Sequence, residues 1–245
     1  EFIVLSRSFL HPLFDKLPRV TFVGADIRGE HKSLIGMYRL FRQLRSMKPD
    51  ILLDMQCSWR TKMIGYLFTL SRTKTLRIGF ARAEQKRLIK KGAEKYRPIP
   101  TIFDRQARLY GKIRLKVNSD FHKLYEPNAE QKAKIKELYG AKLGNWIGIA
   151  PFSIARGKTL PFRKMKNIIA HFDKQPNTKI FLFGAGEMEN ELLSDWQSLY
   201  ENVYAVHTNL KLDDELALMN NLDVMLCMDS ANMHLASLMA VPVVS

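Results

Sequence analysis

Cysteine is scarce in this 245-residue chain, and long hydrophobic runs are absent. The two cysteines, Cys57 and Cys227, lie far apart in apolar segments, which favours buried free thiols over a disulfide framework. No spacing of Cys and His fits a zinc site, so we expect no metal. No apolar run approaches the roughly eighteen residues that a membrane-spanning helix needs. These absences speak against a disulfide scaffold and against a membrane span within this sequence.

Other familiar signatures are also missing. The chain has no low-complexity segment, no short repeat period and no Walker loop. Its first six residues have the composition of a strand in progress and not of a signal peptide. Residues 241–245 also have the composition of a strand. We therefore expect sequence to be missing at both ends.

Acidic residues are few: 24 Asp and Glu stand against 39 Lys and Arg, and the formal net charge is +15. Much of the excess falls in residues 72–116. Such a field attracts nucleic acid, anionic lipid or phosphorylated substrates. Aromatic residues are not interleaved as a nucleic-acid stacking platform requires, and no compact nucleic-acid module is recognisable, so we expect no nucleic-acid partner. A solvated basic helix is the alternative.

Short apolar runs alternate with amphipathic stretches along the whole chain. This alternation predicts parallel sheets covered by helices, in two successive α/β domains at residues 1–140 and 141–245. Helices are predicted at 33–47, 58–70, 101–110, 128–139, 163–172, 188–199 and 212–220, and from residue 229 onward. Strands are predicted at 2–5, 20–24, 51–55, 76–80, 146–150, 179–183, 203–206 and 223–227, and from residue 241 onward.

Three loops in the second half each follow a predicted strand, and in a parallel sheet all three fall on one edge. Residues 151–161 combine small residues with the cations Arg156 and Lys158, which suit a diphosphate. Residues 184–187 form a glycine turn that ends in Glu187, whose carboxylate can accept hydrogen bonds from a ribose or adenine. Residues 229–236 form the third loop and a helix start. The alternatives are a solvated Lys158 and a Glu187 that serves only as a helix N-terminal charge.

The third loop carries the most information. Asp229, Ser230, Ala231 and His234 follow a buried strand and open a helix whose first amides suit an anionic group. In open α/β sheets, ligands bind at this edge. The alternative is an ordinary capped helix with a partly buried histidine. The block resembles the DxGxxHxA signature of the ADP-heptose:lipopolysaccharide heptosyltransferases, with Ala231 where that pattern usually has glycine.

The resemblance to the heptosyltransferases implies roles for the second-half residues. It implies a GT-B fold, with two Rossmann-like domains facing across a cleft, both incomplete in this chain. By the same resemblance Ser153 and Lys158 contact the donor phosphates, and Arg156 adds positive charge. Glu187, rather than Glu189, binds the nucleoside ribose. Sugar and diphosphate are bound by the residues of the third loop: Asp229, Ser230, Ala231 and His234.

The first half carries a weaker resemblance. Asp54, Gln56 and Arg60, followed by residues 77–80, resemble the acceptor-side segments of the family. The family's catalytic base is an aspartate in a turn that we expect to precede Glu1, so the catalytic residue is unknown here. Asp26 and Asp54 are carboxylates in this half, but neither matches that motif.

The function implied is that of a bacterial enzyme of lipopolysaccharide biosynthesis in the cell envelope. It would be an inverting, metal-independent glycosyltransferase that moves a heptose or related sugar from an ADP-sugar to a lipopolysaccharide core acceptor. The ADP-sugar is the donor substrate and no cofactor is expected. The expected partners are this donor, a phosphorylated lipid-linked oligosaccharide and an anionic membrane. The expected location is cytoplasmic, peripheral at the inner membrane. The alternatives are a UDP-sugar GT-B transferase and a non-catalytic nucleotide- or nucleic-acid-binding α/β protein.

Overall fold

The computed structural model describes residues 1–78, 100–117, 121–153, 155–206 and 210–245. The chain divides into two compact units, Glu1–Asp120 and Phe121–Ser245. The sequence-based boundary lies later, after residue 140. The helix Ala129–Tyr139 belongs with the second unit because Gln131 Nε2 donates to Asp213 O at 3.3 Å and Lys134 pairs with Asp214.

The first unit contains two pairs of parallel strands. Strand β1 pairs with β2, and β3 pairs with β4. A 3-10 helix, Ser8–Leu13, lies between β1 and β2 and was not predicted. The described elements are β1 Phe2–Arg7, β2 Val20–Ala25, α1 Leu34–Ser46, β3 Ile51–Asp54, α2 Trp59–Leu70, β4 Lys74–Arg77 and α3 Ile102–Gly111.

Helices α1 and α2 form one layer over these strands. Each begins after a serine whose hydroxyl accepts a backbone hydrogen bond: Ser33 from Gly36 at 3.0 Å and Ser58 from Thr61 at 3.3 Å. Phe41 of α1 and Phe68 of α2 meet edge to face, with ring centroids 5.0 Å apart. Both rings are buried in one cluster with side chains of β1, β2 and β3, so the two helices cover the same core.

The second unit is built on a single five-stranded parallel sheet in the order β7-β6-β5-β8-β9. The chain runs from β5 through β6 to β7 on one side and then returns to β8 on the other side of β5. Its elements are α4 Ala129–Tyr139, β5 Asn145–Ala150, α5 Phe162–Asp173, β6 Thr178–Leu182, α6 Glu187–Gln197, β7 Val203–Ala205, α7 Leu212–Met219, β8 Val224–Cys227, α8 Ala231–Leu238 and β9 Val243–Val244.

The central strand β5 is buried along its length after Asn145. Glycine is required at one point in it, because a Cβ at Gly148 would lie 2.4 Å from Met225 Sδ on the neighbouring strand. The core on one side of the sheet collects aliphatic residues of β5 and β6 with Trp196 of α6. This close packing holds the carboxyl ends of β5 and β8 side by side.

The predicted α/β architecture is confirmed, with a parallel pairing for every described strand. The helix after β8 was predicted to open at Asp229, and that prediction is wrong by two residues, because α8 begins at Ala231 with Ser230 as its N-cap. Both cysteines are free and buried, as predicted. Within the described ranges, no helix has the length and apolar character to cross a bilayer. Residues 79–99 of the basic stretch lie outside the described residues.

Candidate functional site

The second unit has a topological switch point between β5 and β8. The chain leaves β5 toward β6 and leaves β8 toward β9, so the loops that follow these two strands diverge. Met228 N donates to Ala150 O at 3.1 Å, which continues the pairing to the ends of both strands. Ligands of open α/β sheets bind in the crevice that such diverging loops create. Two of the three loops singled out in the sequence start here.

These two loops are joined by direct contacts. Ser153 Oγ donates to Asp229 O at 2.9 Å. Lys158, in the 3-10 turn Arg156–Lys158, forms a hydrogen-bonded ion pair with the Asp229 carboxylate. Leu160 N donates to Met228 Sδ at 3.3 Å, a contact that sequence reasoning missed because a thioether is a weak acceptor with no sequence signature. The structure therefore brings together three of the predicted donor-side residues.

The Lys158–Asp229 pair lies within reach of a ligand, since the two side chains are 54% and 52% exposed. The hydrogen bond and positive charge of Lys158 hold the pKa of Asp229 below its usual range, and the nearby His234 adds to this. Asp229 is consequently an ionised acceptor at neutral pH and is not poised to donate a proton. The pair presents one cation and one carboxylate side by side.

The start of α8 supplies backbone donors beside this pair. Its N-cap, Ser230, has extended backbone and makes no side-chain cap hydrogen bond, so the first amides of the helix are not satisfied by that side chain. Ser230 Oγ itself is buried and has no hydrogen-bond partner among the described residues. Ala231 and His234 are exposed. The alternative of a capped helix with a partly buried histidine is therefore not what the structure has.

The two glutamates that follow the glycine turn after β6 differ in their contacts. Glu189 Oε2 accepts a hydrogen bond from Ala185 N at 2.9 Å and so holds the turn. Gly186, with φ of 98°, adopts a conformation that favours glycine. Glu187 opens α6 and its side chain is exposed. Of the two carboxylates, Glu187 is the more exposed, and no described contact links it to Lys158 or Asp229.

The side chain of Arg156 and residue 154 lie outside the described residues. Their predicted part in the phosphate loop stays a prediction. In the described part of the chain, no group of three or more His, Cys, Asp or Glu side chains could hold a metal ion.

The predicted acceptor-side residues lie in the first unit, at the end of β3, in the turn that follows it and in the first turn of α2. Asp54 is buried, and its Oδ1 accepts hydrogen bonds from Cys57 N at 2.8 Å and Gln56 N at 3.2 Å. Its Oδ2 lies 3.8 Å from Arg77 Nε of the neighbouring strand. Gln56 is exposed, and the guanidinium carbon of Arg60 lies 4.5 Å from the centre of the Trp59 ring. Asp54 thus holds the turn that presents Gln56 and Arg60.

The two carboxylates considered as bases in the first half, Asp26 and Asp54, both accept backbone hydrogen bonds in turns. Asp26 Oδ1 accepts hydrogen bonds from Arg28 N at 3.1 Å and Gly29 N at 2.8 Å. These bonds lower the pKa of Asp26, the one from Gly29 most strongly, which weakens this carboxylate as a base. Neither Asp26 nor the buried Asp54 is assigned as the catalytic base.

The sequence model described as glycosyltransferase family 9 (heptosyltransferase) matches residues 37–245. The chain belongs to this family. It is therefore a glycosyltransferase, and the predicted resemblance to the heptosyltransferases is confirmed. No curated protein matches the chain.

Solved structures of similar fold include three glycosyltransferases. A family 9 glycosyl transferase from Veillonella parvula is 18% identical, with a TM-score of 0.75, and the alignment covers 98% of this chain and 70% of that one. The ADP-heptose LPS heptosyltransferase II of E. coli is 17% identical, with a TM-score of 0.65 and coverage of 98% and 73%. E. coli heptosyltransferase WaaC with ADP-2-deoxy-2-fluoro heptose is 12% identical, with a TM-score of 0.63 and coverage of 99% and 87%. At these identities the likeness shows the fold, which is GT-B.

Proposed function

We propose that this family 9 glycosyltransferase moves a heptose, or a related sugar, from an ADP-activated donor to a hydroxyl of a phosphorylated, lipid-linked core oligosaccharide. The donor binds at the carboxyl ends of β5, β6 and β8. The observation that carries the proposal is the contact set around Asp229, in which Ser153 binds its carbonyl and Lys158 its carboxylate. A loop cation, a carboxylate and an open helix start are thereby combined at a switch point.

Each donor-side group in the proposal has a task that follows from its chemistry. Lys158 and the first amides of α8 bind the diphosphate, with Arg156 adding charge. Asp229, as an ionised acceptor, takes hydrogen bonds from hydroxyls of the sugar, and His234 lies in the first turn of α8, which begins two residues after Asp229. Glu187 takes hydrogen bonds from the ribose. Ser153, Ser230 and Ala231 shape the loops that present these groups.

The reaction is a direct displacement with inversion. The acceptor oxygen forms a new bond to the anomeric carbon as the bond from that carbon to the diphosphate oxygen breaks. The acceptor proton passes to a base that this chain does not identify, and negative charge develops on the leaving ADP. Lys158 and the α8 amides stabilise that charge, so the proposal needs no metal ion. Gln56 and Arg60 bind the acceptor, with Asp54 holding their turn.

Calorimetric titration with ADP, UDP and ADP-heptose at two salt concentrations tests this proposal. We expect the adenine nucleotides to bind more tightly than UDP, and ADP-heptose to differ from ADP because the sugar contributes contacts. Preference for UDP would replace the donor with a UDP-sugar. Binding that vanishes with modest salt and ignores the sugar would refute a donor site and favour non-specific charge attraction.

A further inference from the structure

Helices α1 and α2 of the first unit expose apolar side chains on the face that points away from their shared core. On α2, the exposed residues Trp59, Tyr66 and Leu70 are separated by seven and four positions, which aligns them along one side of the helix. On α1, the first turns expose Leu34, Ile35 and Tyr38. Both helices pack on one core through their other faces. We call the surface formed by these six residues the α1–α2 face. It also includes the cations Arg39, Arg42, Arg45 and Lys62.

The charge of the α1–α2 face has a single sign. Arg39, Arg42 and Arg45 are exposed on α1, and Lys62 is exposed on α2. Neither helix contains an acidic residue, and the sequence has none between Asp54 and Glu84. Apolar and cationic side chains are therefore interleaved along these two helices, and neither helix itself supplies a carboxylate between them.

This combination identifies the kind of partner. Aliphatic side chains such as Leu34, Ile35 and Leu70 have no counterpart on a nucleic-acid backbone, although phosphates would match the charge. Tyr and Trp are enriched at membrane interfaces, where their rings sit among headgroups with a polar end in water. Lys and Arg bind anionic headgroups. A bilayer of anionic phospholipid satisfies both the apolar and the cationic components.

We propose that the α1–α2 face docks the first unit on the headgroup region of an anionic phospholipid bilayer. The proposal deepens the proposed function, because a lipid-linked acceptor is presented at such a surface. Arg60 supports the docking geometry: its guanidinium lies over the Trp59 ring at 4.5 Å and adds a further cation beside the exposed indole. Docking requires no spanning helix, since the side chains enter only the interface.

The three tryptophans make the docking measurable. Trp59 is 55% exposed, whereas Trp146 and Trp196 are 2% and 1% exposed and already shielded from water. Addition of phosphatidylcholine vesicles that contain phosphatidylglycerol should shift the tryptophan emission to the blue, and brominated lipid should quench it. Vesicles of phosphatidylcholine alone should do neither. The variant Trp59→Phe should lose both signals while still sedimenting with the anionic vesicles.

Two double charge-reversal variants test whether vesicle binding depends on this face and not on the net charge of the chain. Arg39→Glu with Arg42→Glu alters α1, and Lys132→Glu with Lys136→Glu makes the same charge change on exposed positions of α4. We expect the first pair to weaken vesicle binding by roughly tenfold or more, and the control pair to weaken it far less. Both pairs should keep their helical circular dichroism and their ADP affinity, so a failed donor site and a failed membrane face give different results.

Three outcomes of the vesicle experiments would overturn the proposal. One is a wild-type chain that does not sediment with anionic vesicles. Another is an equal loss for both charge-reversal pairs. The last is a quenching signal that survives in Trp59→Phe. A shift of the α1 pair from dimer to monomer on gel filtration, without loss of vesicle binding, would assign the face to a second copy of the chain instead.

Discussion

The two units use the same α/β alternation, yet their sheets differ. In the second unit, β5 has a paired strand on each side, and its residues from Trp146 to Ala150 are buried. In the first unit, each described strand has a single described neighbour, and β1 and β3 are mostly half-buried. A continuous sheet brings separate loops to one edge, and the donor-side contacts between residues 153–160 and 228–229 depend on this. The first-unit candidates instead lie within seven consecutive residues, from the end of β3 to the start of α2.

The largest expected effect tests this difference in burial directly. Ile149→Ala in β5 removes a fully buried side chain from a close-packed sheet, and we expect it to lower the free energy of unfolding of the second unit by about 2–5 kcal/mol. Leu52→Ala in the half-buried β3 should cost less, because less apolar area is lost and the site can relax. Urea-dependent hydrogen exchange of peptides from each unit measures both. An equal loss in the free energy of unfolding for both variants would show that the two sheets do not differ in how tightly they are packed.

A second pair of variants separates the proposed roles of the units. Lys158→Ala should weaken ADP binding by about 1.5–3 kcal/mol, the scale of a hydrogen bond to a charged group. Arg60→Ala should leave the Kd for ADP unchanged and impair transfer to the acceptor. Calorimetry and a transfer assay provide the readouts, with Lys174→Ala on exposed surface at the end of α5 as the control. Unchanged ADP affinity in Lys158→Ala would remove this lysine from the donor site.

The third prediction concerns the protonation of Glu215 in the second unit. Burial raises the pKa of Glu215 from 4.5 to about 7. Between these values the folded chain binds more protons than the unfolded chain, so this group makes stability fall as pH rises from about 4.5 to about 7. Glu215→Gln removes the penalty and should stabilise the chain by about 1–3 kcal/mol at pH ~8, with little effect at pH ~4.

Urea unfolding at the two pH values, followed by the fluorescence of Trp146 and Trp196, checks the Glu215 prediction. The control is Glu191→Gln, at an exposed position of α6. A gain in stability that is the same at both pH values, or one that the control shares, would show that Glu215 is not the titrating group.

The smallest stability effect comes from comparing two histidines. His31 in the first unit is buried, and its Nδ1 accepts a hydrogen bond from Asp26 N at 3.1 Å. His31→Ala should therefore cost about 1 kcal/mol or more. His234→Ala, at an exposed position on α8, should change the free energy of unfolding by at most about 0.5 kcal/mol while lowering donor affinity or turnover. Thermal melts of both variants measure the change in stability, and titrations with ADP-heptose measure the change in donor affinity. A melting temperature that falls mainly in His234→Ala would assign it to the core.

Much of the fold could be predicted from local pattern. Ser33 and Ser58 precede helical apolar spacing and are the observed N-caps. The run from Trp146 to Ala150 is the buried central strand. The 3-10 helix Ser8–Leu13 was missed because it is short and contains Pro12, so it has no helical periodicity. The predicted domain boundary lies at Gly140, which ends a helix. The attachment of α4 to the second unit instead depends on its contacts with α7, a helix about eighty residues further along the chain.

The sequence by itself determined the α/β class and the family, and it predicted which residues serve the donor side, because apolar periodicity and the Asp229–His234 block are local in the chain. The tertiary structure alone decided which of these residues meet. Lys158 and Asp229 are 71 positions apart, and only the parallel pairing of β5 with β8 brings their loops together. It also decided that Glu189 holds its turn while Glu187 stays exposed, and that α1 and α2 pack on one core. Such pairings depend on strand order and on the burial that follows from it, and a residue pattern read along the chain contains neither.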